Sequence, residues 1–239
     1  MRILFLLLAF FSGVSHANVI INATRVVFPD SNKEYSLKIQ NDNKYPVLVQ
    51  AWVDNGNSTI SDKIPKTPFT ILPPIFRMEP NQGQTLRIIY NGEPLPADRE
   101  SVFWVNVFEI PPKERVSENQ LELAFRSRIK LFFRPASLGR LNIENAVKNI
   151  NCNIKKDSEK NKSILSCKNK TGHYISFSSV YLASSGNKIT LPLDSFGMIP
   201  PFGEIKAKIK SIADNSELIA YIINDQGGAS KNTIKVFDE

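Results

Sequence analysis

The sequence predicts an all-β chain built as two sandwich domains, and three observations carry that prediction. Strand-like runs recur at short spacing with turn residues between them. One run, Asn119–Pro135, alternates over roughly fifteen residues where about five or six are usual. No convincing amphipathic helix interrupts the pattern, and a stretch bearing Pro and Gly, Arg134–Arg140, divides it into two sets as an interdomain hinge would.

The first set comprises Val19–Phe28, Glu34–Gln40, Val47–Val53, Gln84–Tyr90, Val102–Ile110 and Leu121–Phe133. Its breaks are Pro29-Asp30, Asn41-Asp42-Asn43, Asn55-Gly56-Asn57, Asn91-Gly92 and Pro111-Pro112, residue types that bend a chain or withhold a ladder donor. About six or seven short strands in such a length suit an antiparallel sandwich of immunoglobulin type. The second set is Asn151–Ile154, Ser163–Cys167, Tyr174–Ser179, Ile205–Ile209, Leu218–Ile223 and Thr233–Phe237, richer in Lys, Asn and Ser. The expected organisation is a first domain over 18–138 and a second over 139–239.

Met1–Ala17 reads as a secretory signal: Arg2, an apolar run from Ile3 to Phe11, and Ser15-His16-Ala17 as a cleavage pattern. The apolar run is too short to span a bilayer, so the expectation is an exported protein with no membrane insertion. A net charge of +7 would suggest nucleic acid in a cytosolic protein, but export removes that partner. Much of the charge reads as solvated sheet face, as in Glu204–Lys210, where Lys206, Lys208 and Lys210 alternate with Ile205, Ala207 and Ile209.

Cys152 and Cys167 are the only cysteines, and outside the cytoplasm they are read as a structural disulfide worth about 3 kcal/mol. Zinc needs more ligands than the chain offers, and no other cofactor is expected. His173 is the one histidine after the signal. It has no nucleophile elbow to serve, and no phosphate loop or dinucleotide fingerprint occurs, so an enzyme is not expected. What remains is binding. An extended strand can add itself to another protein's open sheet, backbone bonds giving strength and side-chain pockets giving register. In Asn119–Phe133, Leu121, Leu123, Phe125, Ile129, Leu131 and Phe133 share one parity, while Glu122, Arg126, Arg128 and Lys130 take the other.

At these residues the chain resembles the periplasmic pilus chaperones, the PapD-like family of the chaperone–usher pathway. The likeness lies in Thr24–Phe28, Asn41-Asp42-Asn43 with Pro46–Trp52, Ile71–Pro80, Leu95–Ser101, Asn106–Pro112 and Arg128–Pro135. In the second half it lies in Ile223–Gly228. The resemblance implies two immunoglobulin-like domains in a boomerang arrangement, working in the periplasm on pilin subunits that are delivered to an outer-membrane usher. It implies that Leu121, Leu123 and Phe125 are donor positions of the strand lent to a subunit lacking its last strand, Phe125 standing where the family more often has an aliphatic residue. Arg25 and Lys130 match cations that hold the subunit's terminal carboxylate, and Glu100, Arg134 and Asp225 match an interdomain ion network. The connection from Pro111 to Asn119 is short, as in the branch serving rod-like pili. Self-association of the unloaded protein is a further expectation. The rival reading is a secreted structural or adhesive sandwich such as a fimbrial subunit.

One point of geometry stays open at this level. Lys130 has the opposite parity from Leu123 and Phe125, so either a bulge intervenes or the cation reaches its cleft from the other face of the sheet.

Overall fold

A computed structural model describes residues 18–56, 66–112, 123–156, 162–184, 187–210 and 216–238. The signal expected over residues 1–17 lies outside them, as does Leu121.

The first domain is two facing antiparallel-rich sheets. One has the order β1 (Val19–Ile21), β3 (Glu34–Asn41), β7 (Gly83–Tyr90), β5 (Phe69–Leu72). The other has the order β2 (Arg25–Pro29), β9 (Phe125–Arg134), β8 (Ser101–Ile110), β4 (Val47–Asp54), β6 (Ile75–Met78). Alternation decides what fills the space between. In β3, Leu37 and Ile39 are buried and Ser36 and Lys38 are not, while in β4 Val47, Val49, Ala51 and Val53 turn inward. Phe28, Phe69, Tyr90, Phe103 and Phe133 form an aromatic centre with ring centroids from 4.7 Å (Tyr90–Phe133) to 6.3 Å (Phe28–Tyr90). Burying side chains of this size stabilises by roughly 1.5–3 kcal/mol each before entropy is subtracted.

Two sequence expectations are corrected here. Val19–Phe28 is not one strand. β1 pairs with β3 and β2 pairs with β9, so the chain crosses from one sheet to the other through Asn22–Thr24. The strands β5 and β6 were not anticipated, because Pro73 and Pro74 between them broke the pattern into pieces too short to read.

The second domain has its own core around Leu165, Val180, Leu182, Phe196, Leu218 and Ile222, which shares no residue with the first. Its strands are β10 (Ile150–Lys156), β11 (Lys162–Asn169), β12 (Ile175–Ser184), β13 (Asn187–Thr190), β14 (Met198–Ile199), β15 (Glu204–Lys210), β16 (Glu217–Ile223) and β17 (Ala229–Asp238). They connect in the order β13, β12, β16, β17, β10, β11, β15, with β14 beside β12. β17 links both layers: it is antiparallel to β16 over Ala229–Lys235 and parallel to β10 over Val236–Asp238. Short helical turns, unforeseen because they are under two turns long, occur at Ala136–Leu138, α1 (Ile143–Lys148) and α2 (Leu193–Phe196). Asn142 starts α1 by accepting a bond from the Asn145 amide.

Each domain staples a loop with a fully buried asparagine. Asn41 donates to the carbonyls of Tyr45, Met78 and Glu79, and Asn169 donates to those of His173 and Pro200. Cys152 and Cys167 are bonded and stand opposite each other in the β10–β11 ladder, closing a separation of 15 residues. Reduction, or the pair Cys152→Ala and Cys167→Ala, should therefore lower the unfolding free energy of the second domain in urea by about 3 kcal/mol. An unmoved transition would mean that the ladder holds without the bridge.

Candidate functional site

β2 and β9 run parallel and in register, so Arg25 lies directly across the ladder from Lys130. Register partners share a face, which stands the two cations side by side. Trp104 of β8 flanks Lys130 on its other side. The opposite parity belongs to the core: Val26, Phe28, Leu131 and Phe133 are buried. The β8–β9 register is unbroken from Glu109 opposite Phe125 to Ser101 opposite Phe133, so no bulge turns the strand. Lys130 sits on the outer face of the five-stranded sheet, where the second domain approaches.

Burial there sets the electrostatics. Loss of water, with the neighbouring charge of Arg25 adding to it, brings Lys130 from the ordinary 10.5 to about 8. The Arg25 guanidinium is also pushed down, first by burial, with Asp225 and Glu100 opposing the shift. Arg25 lies 5.6 Å from the centroid of the Phe132 ring and reaches the Ile223 carbonyl at 3.5 Å. Its Nε is buried without a hydrogen-bond partner among the described residues. Two adjacent, partly dehydrated cations with a spare donor are chemically suited to an anion. Arg25 borders a cleft of about 380 Å³ whose walls also include Tyr35, Arg134 and Asp225.

One turn of the ladder further on, Arg134 joins the two domains. Its Nε donates to Glu100 at 2.6 Å, and Nη1 and Nη2 donate to the two oxygens of Asp225, each at 2.7 Å. The arginine is 7% exposed, and burial alone would lower its pKa, yet the bonds to Asp225 and the charge of Glu100 raise it. Asp225 shows the mirror case: burial works against its charge and the Arg134 bond overrides it, holding the carboxyl below its usual range. Glu100 also accepts the Tyr174 amide at 2.7 Å, and the Glu100 amide donates to Gly172 at 2.9 Å. A β-carbon at Gly172 would stand 2.8 Å from the Asp98 carbonyl, and one at Gly227, where φ is +89°, would strike the Thr24 hydroxyl. Glycine thus permits the close approach of the domains at both points.

The other end of β9 is open. β2 covers its edge only from Lys130 to Arg134, and from Phe125 to Ile129 the described partners lie on β8 alone. β9 has ten residues, with Leu123 and Ala124 outside it, and the part of the expected run over 119–122 lies outside the described residues. β8 ends at Ile110, and Pro111-Pro112, with no N–H to donate, stop the ladder, so among the described residues Leu123 and Ala124 have no strand partner. Leu123 is 53% exposed and Phe125 45%. Lys130 lies about 17 Å along the strand from Phe125.

The structure thus brings together Arg25 with Lys130, and Glu100 with Arg134 and Asp225. Sequence reading missed the neighbours that frame them. Asp54, 2% exposed, accepts bonds from Arg128 at 2.5 Å and Asn106 at 2.8 Å, and Arg128 covers Trp104 at 4.9 Å. The shared parity of Arg128 and Lys130 was the available signal. Tyr174, whose ring is 5.8 Å from that of Phe132 across the domain boundary, gave none. His173 packs its ring nitrogen 3.4 Å from the Gly139 carbonyl.

Comparison with known proteins places this geometry. Residues 18–139 match the family model for the pili and flagellar-assembly chaperone, PapD N-terminal domain, and residues 145–234 match that for the pili assembly chaperone PapD, C-terminal domain. The probable fimbrial chaperone YadV of Escherichia coli K12 is 37% identical over 95% of this chain and 93% of its own. The chaperone protein HifB of Haemophilus influenzae is 37% identical over 89% of this chain and 86% of its own. Among solved structures, that of the YadV chaperone aligns with a TM-score of 0.76 at 34% identity over 92% of this chain and all of the other. A Salmonella enterica SafA pilin in complex with the SafB chaperone aligns at 0.72 and 28% identity, covering 93% of this chain and 97% of that one. The rival reading as a structural or adhesive subunit is not favoured. With both halves matched and relatives alike over nearly its whole length, the chain belongs to the PapD family of pilus-assembly chaperones.

Proposed function

We propose that this protein is a periplasmic chaperone that stabilises pilus subunits by lending them the open edge of β9, and that it hands them to an outer-membrane usher. The observation that carries the reading is the cation pair standing at the inner end of that edge. A subunit strand whose terminal carboxylate lies between Arg25 and Lys130, and whose body follows Phe125 to Ile129, runs parallel to β9 in the line that β2 occupies further on. Charge-assisted bonds to the carboxylate contribute about 1.5–3 kcal/mol each and set the register. Leu121, Leu123 and Phe125 then enter the subunit's unfilled groove, worth about 1.5–3 kcal/mol for each side chain fully buried, less the costs of association. The network of Glu100, Arg134 and Asp225 holds the second domain over the anchor. No step makes or breaks a covalent bond, so the cycle calls for no metal or cofactor.

Support comes from three sides: the exposure of Leu123 and Phe125, the likeness to a chaperone solved with its pilin, and the absence, among the described residues, of any helix long and apolar enough to cross a membrane.

Lys130→Ala or Arg25→Ala should abolish recovery of a co-expressed pilin as a one-to-one complex while the chaperone itself stays folded. Normal pilin yield from both would refute the anchor. A pH dependence also follows. The folded lysine near 8 sits below its unfolded value of 10.5, so the unloaded protein bears the cost of a buried charge below pH 8 and gains stability as pH rises from about 8 to 10.5. Lys130→Met should remove that slope in chemical denaturation and stabilise the unloaded protein at neutral pH. A carboxylate bound beside Lys130 favours its charged form, so affinity for a pilin C-terminal peptide should fall as pH is raised through 8. A flat binding profile would contradict this. Asp225→Asn should weaken domain docking by about 3 kcal/mol, seen as faster proteolysis of the 136–142 linker. An unchanged rate would show that other contacts hold the domains.

A further inference from the structure

The second domain carries a charged surface that the cleft does not use. β15 is an edge strand, and its pairing with β11, and of β11 with β10, brings Lys206, Lys208 and Lys210 onto one outward face with Lys162, Lys168 and Lys155. All six are exposed. Among the described residues of these three strands one carboxylate shares that face, Glu204, which is bonded to Ser166 and lies 3.3 Å from Lys206. Two apolar side chains stand among the cations. Ile164 is half-buried between its partners Lys155 and Lys208, and Phe237, the register partner of Asn153 where β17 meets β10, is 62% exposed.

Edge protection explains lysines on β15, since charge there discourages a foreign strand. It does not explain Lys168, which has a partner on either side, nor Lys155 and Lys162 on strands interior to the sheet order, nor a bare phenylalanine beside them. The chemistry of the face also narrows the partner. Every cation on it is a lysine, a compact hydrated charge without the planar fork that recognises a fixed carboxylate. Protein interfaces are depleted in lysine and enriched in arginine. A flat array of lysines with one exposed aromatic suits a surface whose phosphates have no fixed positions and whose interface accepts a ring. From this we infer that the lysine face of the second domain seats the protein on bilayers containing anionic phospholipid headgroups. The attachment is peripheral and electrostatic, shallow at Phe237, and leaves the cleft and the β9 edge unencumbered.

The test is co-sedimentation of the purified protein with vesicles of zwitterionic phosphatidylcholine and with vesicles of an equal mixture with anionic phosphatidylglycerol. Binding is expected to the mixed vesicles only, and near-molar salt should release it. The triple variant Lys206→Gln, Lys208→Gln, Lys210→Gln should weaken binding by about tenfold or more, and Phe237→Ala by less. Lys206→Glu, Lys208→Glu, Lys210→Glu should abolish it, with circular dichroism showing that the sheets persist. Equal binding to both vesicle types, no binding to either, or undiminished binding of the folded glutamine variant overturns the inference. So does capture by polyglutamate without capture by vesicles, which would make the face a protein-docking surface. Pilin recovery by the same variants should be normal, so failure here leaves the cleft reading untouched, and failure of Lys130→Ala leaves this one untouched.

Discussion

The parallel pairing of β2 with β9 is the constraint on which the remaining geometry depends. Five register pairs, from Arg25 with Lys130 to Pro29 with Arg134, send Val26, Phe28, Leu131 and Phe133 into the core and leave the alternate side chains outside. The apolar half of the pattern provides the binding energy of the sandwich, and the polar half is placed as its by-product. Two cations are held together against their repulsion because the core behind them leaves no other register. Since β2 begins at Arg25, the same pairing also ends there, and no described residue covers the edge of β9 from that point outward.

The second domain completes the arrangement. A guanidinium 7% exposed would be costly by itself, and it is accommodated because Glu100 comes from the same sandwich and Asp225 from the other. Arg134 therefore ties Asp225, on the cleft's far wall, to the end of β9. Gly172 and Gly227 let the backbones meet at the distance that these bonds require. Any change that separates the domains also takes Ile223 and Asp225 away from Arg25, so the electrostatics of that guanidinium and the docking of the domains are linked.

Much of this was legible in the residue order. Alternation identified the inward faces of β3, β4 and β9, and the cysteine count gave the bridge between neighbouring strands. What alternation encodes, though, is the side on which a side chain lies, not whether the backbone has a neighbour. Leu123 and Phe125 therefore looked alike as strand, yet the described ladder begins only at Phe125, because the partner strand stops before Pro111. The crossing between β1 and β2 escaped notice for a related reason, as both pieces are apolar and only their different partners separate them. The pairing of Arg25 with Lys130 spans more than a hundred positions, and no local pattern contains it. Likeness to a family supplied the residues, and only the register explains why they meet.

The proline stop that frees the end of β9 also governs how the molecule treats its own kind. An uncovered edge normally invites a second copy to stack, and from there a fibre can grow. Among the described residues of β9 the bare stretch is short, from Phe125 to Ile129, and Arg126 and Arg128 stand along it on the outward side. Two molecules brought edge to edge would gain too few backbone bonds there to nucleate a stack. A margin this brief can stay open without seeding the growth that a longer bare edge invites.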